Sequence, residues 1–101
     1  MQKFYEKQQK EVEMERIKNS HLENQLDLLN DFTGSPKEMF GDNGCNIGHY
    51  TIDHSYGGVK LEQIVNSGGA VREITNYRLT KRELYYVLHS MNNLLRNERG
   101  R

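Results

Sequence analysis

Cys45, His49, Asp53 and His54 carry the side chains that bind metals or act as nucleophiles and bases, and they lie within one short segment. Zinc takes about four ligands in a tetrahedral array, whereas the spacing Cys-x3-His-x4-His supplies three and has no paired second half. In a strand, His49 and Asp53 also point to the face opposite His54. The pattern therefore predicts no metal site.

Nucleophilic catalysis needs a base and an orienting group that converge on the nucleophile. Cys45 with His49 is the only adjacent pair of this kind, and the sequence indicates neither a third group nor a pocket around it. Gly57-Gly58 and Gly68-Gly69 lack the spacing of phosphate-binding loops. We expect no catalytic residue and no cofactor, and an enzyme using Cys45 and His49 is the third hypothesis.

Four basic residues lie around the predicted start of the C-terminal helix: Arg72, Arg78, Lys81 and Arg82. Backbone N–H groups and the helix dipole favour anions at such a place, so nucleic-acid phosphates are one predicted ligand. A solvated helix start beside a capping residue is the other interpretation of the same residues.

Five tyrosines fall between residues 50 and 86: Tyr50, Tyr56, Tyr77, Tyr85 and Tyr86. Tyrosine is enriched at protein interfaces because it combines apolar area with a polar tip. Tyr85 and Tyr86 adjoin an apolar stripe, and at least one of them is expected at the edge of the core. Tyr56 and Tyr77, together with the four basic residues, are the predicted contacts to a partner.

The composition fits one small domain with a modest core. Of 101 residues, 35% are apolar, 28% are charged and none is Trp, and such chains often complete their core with a second subunit. The 14 basic residues balance the 14 acidic ones, which disfavours both a strongly basic nucleic-acid binder and an acidic mimic of DNA. The basic excess is confined to residues 72–101.

The cysteine count and the hydropathy of the sequence indicate the cellular compartment. The single cysteine excludes an intrachain disulfide. The N-terminal residues have no apolar core typical of a signal peptide, and no stretch approaches the roughly 18–20 apolar residues of a membrane span. We therefore expect a cytosolic protein without membrane contact.

Residues 1–31 are predicted to form a long helix, because they lack Gly and Pro and are rich in helix formers. A heptad frame places Val12, Leu22, Leu26 and Leu29 on an apolar seam that would pair two subunits. Asn19 is the polar member of this seam, a residue type that fixes a two-stranded register. A helix folded back on its own domain accounts for the same spacing, so both arrangements remain open, and a homodimer paired through this helix is predicted.

The rest of the chain predicts a loop followed by a βββα module. Residues 32–48 hold the only proline and read as a loop with one short helical turn at 36–40. Residues 49–76 alternate with a period of two around two glycine hairpin signals, which predicts a three-stranded meander. Thr80 and Glu83 form a capping box. The helix that follows has an apolar stripe made of Leu84, Val87, Leu88, Met91, Leu94 and Leu95. The fold class is therefore α+β.

The order helix, three strands, helix is similar to that of the double-stranded-RNA-binding domain. Thr80-Lys81-Arg82-Glu83 lies where that family has a Lys-rich segment at the start of its second helix. The segment continues here as Leu84-Tyr85-Tyr86 in place of further lysines and alanines. The resemblance therefore concerns topology, which carries no function by itself.

A second resemblance covers about residues 50–95 and rests on three strings: Tyr56-Gly57-Gly58-Val59-Lys60-Leu61-Glu62, Asn66-Ser67-Gly68-Gly69, and Leu79-Thr80-Lys81-Arg82-Glu83-Leu84-Tyr85. They resemble small accessory proteins of phages and prophages from Gram-positive bacteria. The resemblance implies a stoichiometric inhibitor of a host defence protein, such as a CRISPR nuclease, acting in the host cytoplasm. A protein-binding module is accordingly the first hypothesis and a nucleic-acid binder the second.

Overall fold

The computed structural model describes residues 16–99 of the chain, with the side chains of residues 16–98. Helix α1 (Asn19–Thr33) comes first along the chain and helix α2 (Lys81–Arg99) last. Between them lie strands β1 (Phe40–Gly41), β2 (Gly44–Cys45), β3 (Tyr50–Ser55), β4 (Gly58–Ile64) and β5 (Val71–Glu73). β1 and β2 form a small ladder, and β3, β4 and β5 form an antiparallel sheet in that order. The described residues therefore form an α+β fold.

Helix α1 is shorter than the predicted helix over 1–31. Residues 16–18 are not helical, and His21 Nδ1 accepts the backbone N–H of Lys18 (3.1 Å) just ahead of the helix. The helix ends at Gly34 (φ 72°), a left-handed conformation that glycine adopts without steric cost. A continuous helix through residue 18 was therefore a wrong prediction. Residues 1–15, including Val12, lie outside the described residues.

The segment predicted as a loop, 32–48, contains the β1–β2 ladder. Phe40 pairs with Cys45 and Gly41 with Gly44, around a turn at residues 42–43. The predicted helical turn at 36–40 is wrong, because residues 37–39 bend and lead directly into β1. Asp and Asn followed by Gly favour tight turns, and this turn chemistry accounts for the ladder.

The three-stranded sheet has an inner face toward the helices and an outer face away from them. Ile52 pairs with Leu61, and Asp53 pairs with Lys60. Ile52 and Leu61 are buried in the core. Because side chains alternate along a strand, Asp53 and Lys60 lie on the outer face.

Helix α2 begins as predicted and packs on the core through four of the six predicted stripe residues, Leu84, Leu88, Met91 and Leu95. Leu84 and Leu88 are fully buried and Asn92 follows them one turn later. Val87 and Leu94 are 36% and 65% exposed, so their assignment to the buried stripe was wrong. At 100° per residue, both lie on the flank of the row that faces the core.

One cluster joins both helices to the sheet. Its buried members are Leu22, Leu26, Leu29, Ile52, Val59, Leu61, Leu84 and Leu88. The fold is thus the second arrangement left open by the sequence, with α1 packed on its own domain. The three leucines of α1 do not present a surface seam for a second subunit, and Asn19 is the exposed first residue of the helix. A homodimer remains a prediction, and these three leucines supply no exposed surface for it in the described part of the chain.

Candidate functional site

The cysteine and histidines of the first motif occupy structural positions. His49 is buried, and its Nδ1 donates to the carbonyl of Pro36 (2.8 Å). Cys45 is half-buried in β2, and no hydrogen bond joins it to His49 within residues 16–99. The same stretch contains no three His, Cys, Asp or Glu side chains placed to hold a metal ion. The geometry gives no support to the enzyme hypothesis at this pair.

Arg78 ties the segment before α2 to the β3–β4 hairpin. Its Nη2 lies 2.5 Å from Asp53 Oδ2, and its Nη1 donates to the carbonyls of Gly58 (3.2 Å) and Asp53 (3.4 Å). Gly58 has φ 128°, and an added Cβ there would lie 2.5 Å from the carbonyl oxygen of Leu79. Only glycine fits at this approach. Arg78, predicted as a partner contact, thus joins the β3–β4 turn at residues 56–57 to the bend at residues 74–77.

The two turns joined by Arg78 carry exposed tyrosines. Tyr56 lies in the β3–β4 turn and has a relative exposure of 103%, and Tyr77 precedes Arg78 with 71%. By contrast, Tyr85 packs against the edge of the core, as predicted for one residue of its pair. The two tyrosines predicted as contacts are therefore exposed on turns that the Arg78 hydrogen bonds to Asp53 and Gly58 join.

A shallow basic concavity lies at the start of α2. It measures about 340 Å³ and is lined by Arg16, Ile17, Thr80, Lys81 and Arg82. Arg16 was not among the predicted contact residues, because nothing in the sequence indicates that the residues before α1 lie near the start of α2. The structure thus places three cations around one concavity.

The predicted capping box is confirmed at this helix start. Thr80 Oγ1 accepts the Glu83 N–H (3.1 Å), and Glu83 Oε1 accepts the Thr80 N–H (2.9 Å). Hydrogen bonds from the backbone and the side chain of Thr80 to the Glu83 carboxylate hold its pKa below the usual value. The carboxylate of Glu83 is therefore an anion already bound at the N-terminus of α2.

Arg72 is separated from the other basic residues. It lies on β5 opposite Gln63, and its Nη2 donates to Gln63 Oε1 (2.7 Å). The alternation along β5 places it on the face opposite Val71 and Glu73. The predicted basic group is therefore divided into Arg72, the structural Arg78, and the pair Lys81 and Arg82.

The outer face of the sheet carries a groove that the sequence analysis missed. It measures about 200 Å³, and its lining includes Met39, Cys45, Thr51, Glu62, Ile64 and Val71. The β1–β2 ladder stands beside the sheet because the Cys45 N–H donates to the Ser67 carbonyl (2.9 Å) in the β4–β5 turn. The segment predicted as a loop (32–48) and the predicted turn between β4 and β5 thus form walls of the groove.

Glu62 is the carboxylate of this groove without a counterion. Partial burial raises its pKa, and the neighbouring carboxylates of Asp53 and Glu73 add to this effect. The two nearby cations are already paired, Lys60 with Glu73 (2.8 Å) and Arg78 with Asp53. Within the described residues, neither an ion pair nor a hydrogen bond involves the Glu62 side chain.

Comparisons of the chain with families of known proteins, with curated proteins and with solved structures find no significant match. Neither helix of the described part of the chain is long and apolar enough to cross a membrane.

Proposed function

We propose that this chain is a non-catalytic protein-binding module that docks through the Tyr56–Tyr77 surface, defined as these two tyrosines and the turns that Arg78 joins. The observation that carries the proposal is the exposure of Tyr56 (103%) and Tyr77 (71%) on two turns that the Arg78 side chain joins. Exposed aromatic rings on preformed turns offer large apolar area to a partner.

Fixed turns strengthen such a contact. A tyrosine loses little conformational freedom on binding, since it has two rotatable side-chain bonds, and a fixed backbone adds little further ordering cost. Interface energies are also concentrated in a few residues, among which Tyr and Arg are enriched. The two tyrosines are therefore the proposed anchors.

The class of target follows from the resemblance to phage accessory proteins. It makes a host defence protein of the cytoplasm, such as a CRISPR nuclease, the first target to test. The exposed Lys81, four residues after Tyr77, adds a preference for an acidic rim on the target, because complementary rim charges steer association.

The experiment compares binding by the wild-type chain, by Tyr56→Ala with Tyr77→Ala, and by the control Tyr86→Ala. Tyr86 is also exposed, but it lies on α2 away from the Arg78 turns. A target retained from nuclease-treated bacterial lysate is identified, purified and titrated by biolayer interferometry. We expect the double variant to weaken binding at least about tenfold, as loss of an anchor does, and the control to bind normally. Unchanged affinity in the double variant contradicts the proposal.

A nucleic-acid binder is the second candidate, favoured by the basic concavity of Arg16, Lys81 and Arg82. It predicts affinity for a fluorescent duplex RNA that falls steeply with salt, because counterions are released from phosphates. Lys81→Ala with Arg82→Ala is expected to weaken binding and flatten the salt slope, whereas Lys37→Ala, an exposed lysine on a loop, leaves both unchanged. Salt-insensitive binding, or none, removes this candidate.

A further inference from the structure

We propose that the groove on the outer face of the sheet receives one basic side chain, lysine or arginine, of the bound protein, with Glu62 binding its positive charge. The inference rests on the proposed protein-binding function and names a second contact. Asp53 connects the groove to the Tyr56–Tyr77 surface, since it lines the groove and pairs with Arg78. The groove and the Tyr56–Tyr77 surface thus adjoin each other.

The size of the groove fits one side chain. Pockets for metabolites and drug-sized ligands measure about 300–1,000 Å³, whereas this groove measures about 200 Å³. It also lies on a sheet face, where a side chain can enter from above while its backbone stays outside. A single side chain of a partner is therefore a better match than a small metabolite.

The groove walls match the two parts of a basic side chain. Met39, Ile64 and Val71 supply apolar surface, against which the methylene stem of a lysine or arginine packs. Glu62 projects from β4 between Thr51 on β3 and Glu73 on β5, its register partners. The stem thus meets carbon while the charged end meets a carboxylate.

The charge of the groove selects a cation over an anion. Lys60 and Arg78 are each paired with another carboxylate, so the three carboxylates of Asp53, Glu62 and Glu73 outnumber these two cations by one. Partial burial and the carboxylates of Asp53 and Glu73 raise the pKa of Glu62 more than Lys60 and Arg78 lower it. The charged form is therefore unfavourable, and an incoming cation relieves this cost. A neutral side chain of equal length lacks that gain, and an acidic one adds repulsion.

The test uses the full chain labelled with ¹⁵N and small analogues as probes: N-acetyl-lysine methylamide, N-acetyl-arginine methylamide and the uncharged N-acetyl-norleucine methylamide. We expect the two basic analogues to shift the amide signals of Cys45, Glu62 and Val71. Norleucine is expected to leave those signals in place. Glu62→Gln is expected to weaken the response about fivefold, in line with a partly exposed ion pair. The matched control is Glu23→Gln, a substitution of an exposed glutamate on α1.

The dispersion of the same spectra shows whether each variant is folded. A second variant, Val71→Lys, places an amine at the groove itself and is expected to prevent binding of the lysine analogue. Equal shifts with norleucine, or an unchanged response in both groove variants, overturns the proposal. Neither Tyr56 nor Tyr77 lines the groove. Glu62-dependent shifts together with unaffected target binding by the tyrosine variants would therefore reject the Tyr56–Tyr77 surface and keep the groove.

Discussion

The side-chain amide of Asn30 pairs with both backbone polar groups of Tyr50. Asn30 Oδ1 accepts the Tyr50 N–H at 2.8 Å, and Asn30 Nδ2 donates to the Tyr50 carbonyl at 3.1 Å. Asn30 is 1% exposed. The amide thus supplies to the open edge of β3 the hydrogen bonds that a neighbouring strand would give, and it fixes α1 against its own sheet.

Replacing Asn30 by Ala is expected to destabilise the protein by about 2 kcal/mol or more, because it leaves the N–H and carbonyl of Tyr50 without partners in a part-buried place. Urea unfolding followed by circular dichroism measures this as a lower midpoint at unchanged slope. The control is Asn93→Ala, an exposed asparagine on α2. Equal midpoints for Asn30→Ala and the wild type would contradict the prediction.

A substitution of Leu26 separates a core role from a seam between subunits. Leu26→Ala removes a buried side chain and is expected to lower the free energy of unfolding by about 2–5 kcal/mol. Leu94→Ala is the control, because Leu94 is 65% exposed and is expected to change that energy by at most about 0.5 kcal/mol.

Unfolding is again measured with urea, and sedimentation gives the mass of each folded variant. A Leu26→Ala protein that keeps its stability but halves its mass would contradict the core assignment and restore the seam between subunits.

Local sequence signals predicted the parts of the fold whose cause is local. Thr80 and Glu83 lie three residues apart and cap α2 with no help from elsewhere in the chain. The spacing of Leu22, Leu26 and Leu29 did not decide between a coiled coil and a folded-back helix, because both bury the same helical stripe. Only the presence of a core from α2 and the sheet decides it.

The buried asparagines and the groove could not be predicted from local sequence patterns, because both depend on contacts between residues distant in sequence. Asn30 and Asn92 are buried although their residue type favours the surface, and each is held by a residue distant in sequence, Tyr50 and Gln25. Likewise, the groove exists because Cys45 contacts Ser67 across two predicted connections. The alternation along β4 places Glu62 on the outer face, but it does not show what stands beside it.

Replacing Arg78 by Lys is expected to weaken both stability and target binding. A lysine keeps the positive charge, but it cannot reach Asp53 and the Gly58 carbonyl together with the geometry of a guanidinium. We expect a loss of about 1–2 kcal/mol in unfolding free energy and weaker binding by the Tyr56–Tyr77 surface. Calorimetry and biolayer interferometry measure the two effects.

The control for this change is Arg72→Lys, because Arg72 is exposed and makes one hydrogen bond, to Gln63. It is expected to leave both quantities near those of the wild type. An Arg78→Lys protein with normal stability and normal target affinity would show that the two turns are held by other contacts.

Two glutamates are expected to give opposite pH dependences when each is replaced by Gln. The hydrogen bonds from Thr80 lower the pKa of folded Glu83, so this residue stabilises the fold above its unfolded pKa of about 4.3. That stabilisation is lost as the pH falls through the lowered folded value. Glu83→Gln is therefore expected to lower the melting temperature at pH 7 and to match the wild type near pH 2.

Glu62 has the opposite sign, because burial first and Asp53 next raise its folded pKa, with Glu73 adding to them and Lys60 and Arg78 opposing. The charged form therefore destabilises the fold at neutral pH, and this penalty disappears as the pH falls through the raised pKa and below about 4.3. Glu62→Gln is expected to melt at a higher temperature than the wild type at pH 7 and at the same temperature near pH 2. Differential scanning calorimetry across this range checks both variants. A Glu62→Gln protein that melts lower than the wild type at pH 7 would show that Glu62 has a favourable partner, and the groove would then lack its free carboxylate.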